Sequence, residues 1–157
     1  EPLEAAARRE LLEETGVRVD SIHPIGAYGD PGRDPRGWIL SAPFYTFVSS
    51  DSVAPTGGDD AAEAAWRPVH RPGPLAFDHA RILADALTRL RRDLYFTPVA
   101  RPLLPSTFTS RRLHELYARL DPHVPPAALL VRRLADAGAI VPGRTAKCWK
   151  FTGGGRR

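Results

Sequence analysis

Methionine is absent from the 157 residues, and cysteine occurs once, at Cys148. A lone cysteine excludes an intrachain disulfide framework and a cysteine-based metal cage. The five histidines, His23, His70, His79, His114 and His123, are scattered without a metal-ligand spacing and are expected to be structural or surface residues. No stretch approaches the roughly 18 consecutive apolar residues that a membrane span needs, so no membrane partner is expected. A signal-peptide pattern is also missing, and a cytoplasmic setting is expected. The chain opens on Glu1, so its natural start is expected to lie upstream.

What is present is globular. A hydrophobic content of 43% with 25% charged residues excludes a disordered tail. The length suits one average domain or two small ones. Charge argues for two. Residues 1–96 carry eleven basic and fifteen acidic side chains, net −4, whereas residues 97–157 carry eleven basic and three acidic, net +8. A small module at +8 points to a polyanion; a solvated basic surface is the alternative. Pro98, Pro102 and Pro105 mark residues 97–108 as a linker.

Periodicity predicts a helix over 2–15, with Pro2 at the first helical position and Gly16 just past the end. Leu3, Ala6, Ala7, Leu11 and Leu12 form its apolar stripe. Extended segments are expected at 17–19 and 22–28, and the strongest strand signal lies at 38–48, rich in aromatic and β-branched residues. Residues 30–37 are a loop, 64–69 a further short strand, and 79–94 a long helix capped by Asp78. The basic block predicts a helix from Thr109 or Ser110 to about Leu120 with Leu113, Leu116 and Leu120 inward. A second follows from Pro125 or Pro126 to Ala137, with Leu129, Leu130, Leu134 and Ala137 inward. A hairpin comes last, from 139–141 and 144–151. Helix, turn, helix, hairpin is the order of a winged helix.

The first helix carries the sharpest chemistry. Glu10 and Glu14 lie one turn apart with Glu13 beside them, and three carboxylates this close repel unless a positive group joins them. Hard oxygen ligands suit Mg²⁺ or Mn²⁺, which would stabilise charge at a phosphate and activate water. A solvated acidic face, with Arg8 and Arg9 as partners, is the alternative. The whole string is Glu1, seven residues, Arg9-Glu10-Leu11, one residue, Glu13-Glu14, one residue, Gly16-Val17. It resembles the box of the Nudix hydrolase superfamily at eight specified positions. The resemblance implies an α/β fold, the Nudix α/β/α sandwich, its first strands missing from this chain. It implies metal-holding roles for Glu10, Glu13 and Glu14, Glu10 and Glu14 being the better placed, with Arg9 fixing the first glutamate and Glu1 orienting Arg9. Arg33 or Arg36, in a run like that of ADP-ribose pyrophosphatases, would hold a diphosphate; the alternative is that Asp34 and the two arginines fix the loop. Trp38, Phe44 and Tyr45 are candidates to stack on a base, with two of the three expected in the core instead, and Glu63 is a candidate catalytic base, with a plain surface loop as the alternative.

The runs "FTSRRLHELYARL", "LLVRRLADAGAIVP" and "KCWKF" resemble the C-terminal winged helix of Nudix-related transcriptional regulators, which the resemblance ties to genes of NAD or sugar metabolism. This implies domains at 1–96 and 109–157. The second would bind double-stranded DNA as a homodimer through Arg132 and Arg133 on the recognition helix, Arg111 and Arg112 on the preceding helix, and Arg144, Lys147 and Lys150 on the wing. The expected function is a transcriptional regulator sensing ADP-ribose or a related nucleoside diphosphate. The alternatives are an Mg²⁺-dependent hydrolase, conceivable in the same molecule, and a non-catalytic scaffold.

Overall fold

The computed structural model describes residues 1–49, 64–145 and 147–153. The chain forms two compact units, Glu1–Thr88 and Arg89–Arg157.

In the first unit, helix α1 spans Leu3–Thr15. Its alanines, leucines, glutamates and arginines are good helix formers. Pro2 stands one position outside the helix, as its N-cap, and its carbonyl accepts from the amides of Ala5 and Ala6 at 3.0 Å each. Gly16 ends the helix at φ +70°, a conformation that glycine adopts without a Cβ penalty, and its N–H bonds to the Leu12 carbonyl at 2.8 Å. The apolar stripe is only half covered: Leu11 and Leu12 are partly buried, and Leu3 is exposed.

Strands β1 (His23–Pro24) and β2 (Phe44–Tyr45) pair antiparallel, His23 opposite Tyr45 and Pro24 opposite Phe44. Further along, Tyr28 and Ser41 exchange two backbone bonds of 2.9 Å. Between these pairings the first segment carries one residue more than the second, which is a bulge. The strand expected over 38–48 is therefore confined to Phe44–Tyr45 and the bridge at Ser41. Trp38 and Leu40 lie exposed on its approach. Residues 64–69 carry no strand; Pro68 lacks the N–H that a ladder requires. Residues 17–19 carry none either, although Val17 is buried. Residues 30–37 form turns, as expected. Helix α2 spans His79–Phe96, its half-buried side including Ile82, Leu83, Ala86, Leu87 and Leu90.

The boundary between the two units falls inside α2, whose last turns belong to the second unit. There Leu94 is fully buried, and its carbonyl accepts the hydroxyl of Tyr117 at 2.7 Å. The proline-rich segment is compact: Val99 and Ala100 are buried, and Arg101–Leu103 forms a 3-10 turn. Strand β3 (Phe108–Thr109), too short to show in the sequence pattern, leads into helix α3 (Ser110–Leu120), and the Thr109 hydroxyl caps it by accepting from the Arg112 amide at 3.3 Å. Helix α4 spans Ala127–Asp136 after the N-cap Pro126. Strands β4 (Ile140–Pro142) and β5 (Cys148–Phe151) form the expected hairpin, and among the described residues the sheet order is β3-β5-β4. Gly143 suits the hairpin because a Cβ there would stand 3.2 Å from the Cys148 Cβ and carbonyl. The order of strand, two helices and hairpin is that of a winged helix.

The core of this unit is Leu113, Tyr117, Leu130, Leu134 and Ile140, all essentially without exposure, beside Phe108 and Phe151, whose rings lie 4.9 Å apart. Leu116 and Leu120 are half-buried. Leu129 and Ala137 are corrections: Leu129 is 44% exposed and Ala137 lies on the surface. Residues 130 and 134, one turn apart, mark the buried face of α4; position 129 is rotated by about 100° from 130, and Ala137 falls past the helix end.

Candidate functional site

In the first unit, Glu10 and Glu14 lie on one wall of a cleft of about 310 Å³, with Ala7 and Leu11 beside them and Phe44, Tyr45 and Thr46 of the β2 segment opposite. Glu10 also borders a neighbouring cleft of about 520 Å³ with Leu40, Ser41, His79 and Ile82. Glu13 points elsewhere. Its carboxylate accepts from Arg9 Nη1 at 2.8 Å, while Arg9 Nε and Nη2 both donate to Glu1 Oε1, at 3.1 and 2.6 Å. The paired carboxylates hold the Arg9 guanidinium more firmly protonated than usual, Glu1 contributing most. Among the described residues, three carboxylates do not converge on one point. Glu10 and Glu14 are hard oxygen donors one turn apart on a shared cleft. That donor chemistry fits a divalent cation, with the remaining ligands left to water and a phosphate.

The turns at 30–37 are tied down from α2. Arg33 is the centre: Nε and Nη2 donate to the two Asp78 oxygens at 2.8 and 2.7 Å, and Nη1 donates to the Ile39 carbonyl and the Ser41 hydroxyl at 3.2 and 2.9 Å. Its side chain is 5% exposed. Its donors are thus spent inside the fold, and its place is that of a staple rather than of a group open to a diphosphate. Asp78, expected to cap α2, stands just before its first residue with its carbonyl accepting from the Arg81 and Ile82 amides at 2.9 and 3.1 Å; its carboxylate is engaged by Arg33, and this contact holds its pKa below the ordinary value. Two more links reinforce the staple. Arg81 bonds Asp30 at 3.0 Å, and the buried Tyr28 donates its hydroxyl to Asp85 at 2.8 Å.

Arg36 differs. It clasps the buried Asp34 through both Nε and Nη2, the closest contact being 2.7 Å, yet its side chain is 66% exposed and its guanidinium lies 4.9 Å from the Phe77 ring centroid. Asp34 also accepts the Arg36 amide at 2.9 Å. The Arg36 bonds, above all the side-chain pair, hold the Asp34 pKa down at about 2. Of the two arginines expected to meet a ligand, Arg36 is the one presented to solvent. Trp38 is exposed with its indole N–H on the Gly29 carbonyl at 2.7 Å, and Phe44 and Tyr45 are half-buried against the cleft. Glu63 lies outside the described residues.

In the second unit the seven cations singled out in the sequence are all exposed: Arg111, Arg112, Arg132, Arg133, Arg144, Lys147 and Lys150. Arg111 pairs with Glu115 at 2.8 Å and Arg132 with Asp136 at 3.7 Å, each one turn along its own helix. Such pairs are weak in solvent and exchange readily for a phosphate. Trp149 is half-buried, its indole N–H on the Ser110 hydroxyl at 3.1 Å. Division at the compact-unit boundary sharpens the charge contrast: residues 89–157 hold fourteen basic and four acidic side chains, net +10, and residues 1–88 are net −6. Sequence reasoning placed Arg89, Arg91 and Arg92 with the acidic block, because a helix carries no mark of which of its turns belong to which unit. It also missed the Arg33–Asp78 and Tyr95–Asp121 contacts, whose partners lie 45 and 26 positions apart. No helix among the described residues is long and apolar enough to cross a membrane.

Residues 1–86 match the NUDIX domain family. Among curated proteins, the chain is 26% identical over 140 residues to the ADPR responsive transcriptional repressor NtrR of Acinetobacter baylyi, covering 88% of this chain and 56% of that protein. It is 40% identical over 87 residues to the ADP-ribose pyrophosphatase of Methanocaldococcus jannaschii, covering 54% of this chain and 49% of that one. The chain thus spans about half the length of the curated relatives it matches. Among solved structures, Shewanella oneidensis NrtR complexed with a 27mer DNA superposes with a TM-score of 0.72 at 23% identity, over 96% of this chain and 72% of that one. The likeness in fold therefore runs through both units.

Proposed function

The chain belongs to the NUDIX family, and from that premise we propose that it is a DNA-binding transcriptional regulator whose Nudix domain senses ADP-ribose or a related nucleoside diphosphate. The observation that carries the proposal is the second unit: a helix-turn-helix and hairpin at net +10 with seven chosen cations exposed. A hydrolase has no need of such a unit, whereas a duplex attracts it along its whole backbone. In this reading α4 enters the major groove, Arg111 and Arg112 meet phosphates, and Arg144, Lys147 and Lys150 serve the hairpin. A homodimer reading a palindrome would add register and affinity. The names of the Acinetobacter and Shewanella proteins support both the DNA and the ADP-ribose. A ligand shifts DNA binding only by the difference in its affinity for the two states, typically about 5- to 150-fold. The test is a mobility-shift titration of the full-length protein on the duplex upstream of its own gene, with and without ADP-ribose. Binding that changes by such a factor is expected; a chain that binds the duplex equally well either way loses the sensing role.

The shared cleft of Glu10 and Glu14 favours a second activity in the same molecule, hydrolysis of ADP-ribose to AMP. A divalent cation held by these two carboxylates would supply charge neutralisation at the diphosphate. Arg9 and Glu1 would keep Glu13 and the helix start in place, and Arg36 would orient the ligand. Replacing Glu14 with glutamine, and Glu10 likewise, is expected to lower Mg²⁺-dependent AMP release at least a hundredfold, read by chromatography. Turnover that survives both changes would remove the metal assignment.

A further inference from the structure

The two arginines of α4 are held in different ways. Arg132 reaches Asp136 on its own helix, while the Arg133 guanidinium carbon lies 5.8 Å from the ring centroid of Tyr95, on the last turn of α2. That ring is itself fixed. Its hydroxyl donates to Asp121 Oδ2 at 2.6 Å, and Asp121, 7% exposed at the C-cap of α3, also accepts the His123 amide at 2.9 Å. The ring meets Tyr117 edge-on, at 5.9 Å between centroids, and Tyr117 is anchored by its bond to the Leu94 carbonyl. Every group in this chain belongs to the second unit.

We propose that Tyr95, locked by Asp121, is a positioning residue that pre-orients the exposed Arg133 side chain for its contact with DNA. The inference rests on the DNA-binding proposal above. An arginine stem is rich in rotamers, and ordering it at an interface costs free energy. A ring that attracts the guanidinium, and that is held in place by its hydroxyl bond and by the Tyr117 ring packed against it, meets part of that cost before DNA arrives. Among the described residues Arg132 has its ion pair within its own helix, to Asp136, and no aromatic ring beside it.

The experiment is a double-mutant cycle on the full-length protein, read by equilibrium titration of the same upstream duplex over a range of salt. Tyr95→Leu removes the ring and is expected to weaken binding on the order of three- to tenfold. In an Arg133→Ala background the same change is expected to cost nothing further. Salt dependence separates the two residues: Arg133→Ala flattens the log–log slope by about one, whereas Tyr95→Leu leaves it unchanged, because the charge is still there. Tyr95→Phe keeps the ring and loses the Asp121 bond. It is expected to give a smaller loss, again absent without Arg133, and it serves as the test if Tyr95→Leu lowers the melting midpoint. A loss that is equal with and without Arg133 overturns the proposal, as does no loss at all. A wild-type protein that binds no duplex overturns the DNA-binding proposal together with this one.

Discussion

Truncating Leu130 to alanine is expected to destabilise the second unit by roughly 2–5 kcal/mol, the range for a fully buried leucine that leaves a cavity. Leu130 has no exposure and belongs, with Leu113, Tyr117 and Leu134, to the buried core of a unit of modest size, where a single core carries most of the stability. For a domain on the order of 60–100 residues each kcal/mol moves the melting midpoint by about 4–8 °C, so a fall of about 10 °C or more is expected. Leu134→Ala is expected to act alike. Leu129→Ala is the control: at 44% exposure it sits outside the core, and its cost is expected to stay within about 0.5 kcal/mol. Amide exchange of α3 and α4, followed alongside thermal unfolding, assigns the loss to this unit. Equal effects at 129 and 130 would mean that the apolar face of α4 has been drawn on the wrong side.

Raising the salt from about 50 to about 200 mM is expected to weaken duplex binding on the order of a thousandfold or more, the loss typical of about six to ten phosphate contacts. Seven exposed cations put this chain within that range, and the proposed homodimer on a palindrome would deepen it. Each phosphate contact removed flattens the slope by about one, so Arg112→Ala and Lys150→Ala are each expected to weaken binding on every sequence alike. Loss of a base contact behaves differently. It costs about 1–3 kcal/mol and relaxes the preference at one position, which is the signature to look for elsewhere on α4 than at Arg133. Fluorescence anisotropy across a salt series reads both effects. A flat response would leave the basic surface without a polyanion and return it to the role of a solvated face.

The ends of the chain and its middle differed in how far their structure could be read ahead. In α1 and in α3 through the hairpin the chain's local preferences agree with its packing. Gly16 closes a helix because it alone takes φ +70° there without cost, and Thr109 caps a helix because its hydroxyl meets an orphan amide. Leu113, Leu130 and Leu134 repeat at the helical period and fill the core. The segment at 38–48 shows the opposite. Its side chains have strong strand preferences, but a strand exists only where a second segment supplies hydrogen bonds, and among the described residues that pairing runs from Ser41 to Tyr45.

The same division runs through the site. The order of residues was enough to specify which types stand at a fixed helical spacing: Glu10 and Glu14 one turn apart, Arg9 within reach of Glu13, and a cationic block at the C-terminal end. These follow from the rise and turn of a helix and from a count of charges. Which of those groups is available was decided by the folded chain. Glu13 is taken up by Arg9, Arg33 is consumed by Asp78, Arg36 is left facing solvent, and Arg133 rests against a tyrosine 38 positions earlier. Spacing governs what neighbours along a helix can do. It is silent on contacts between distant residues, because those depend on how separate elements pack.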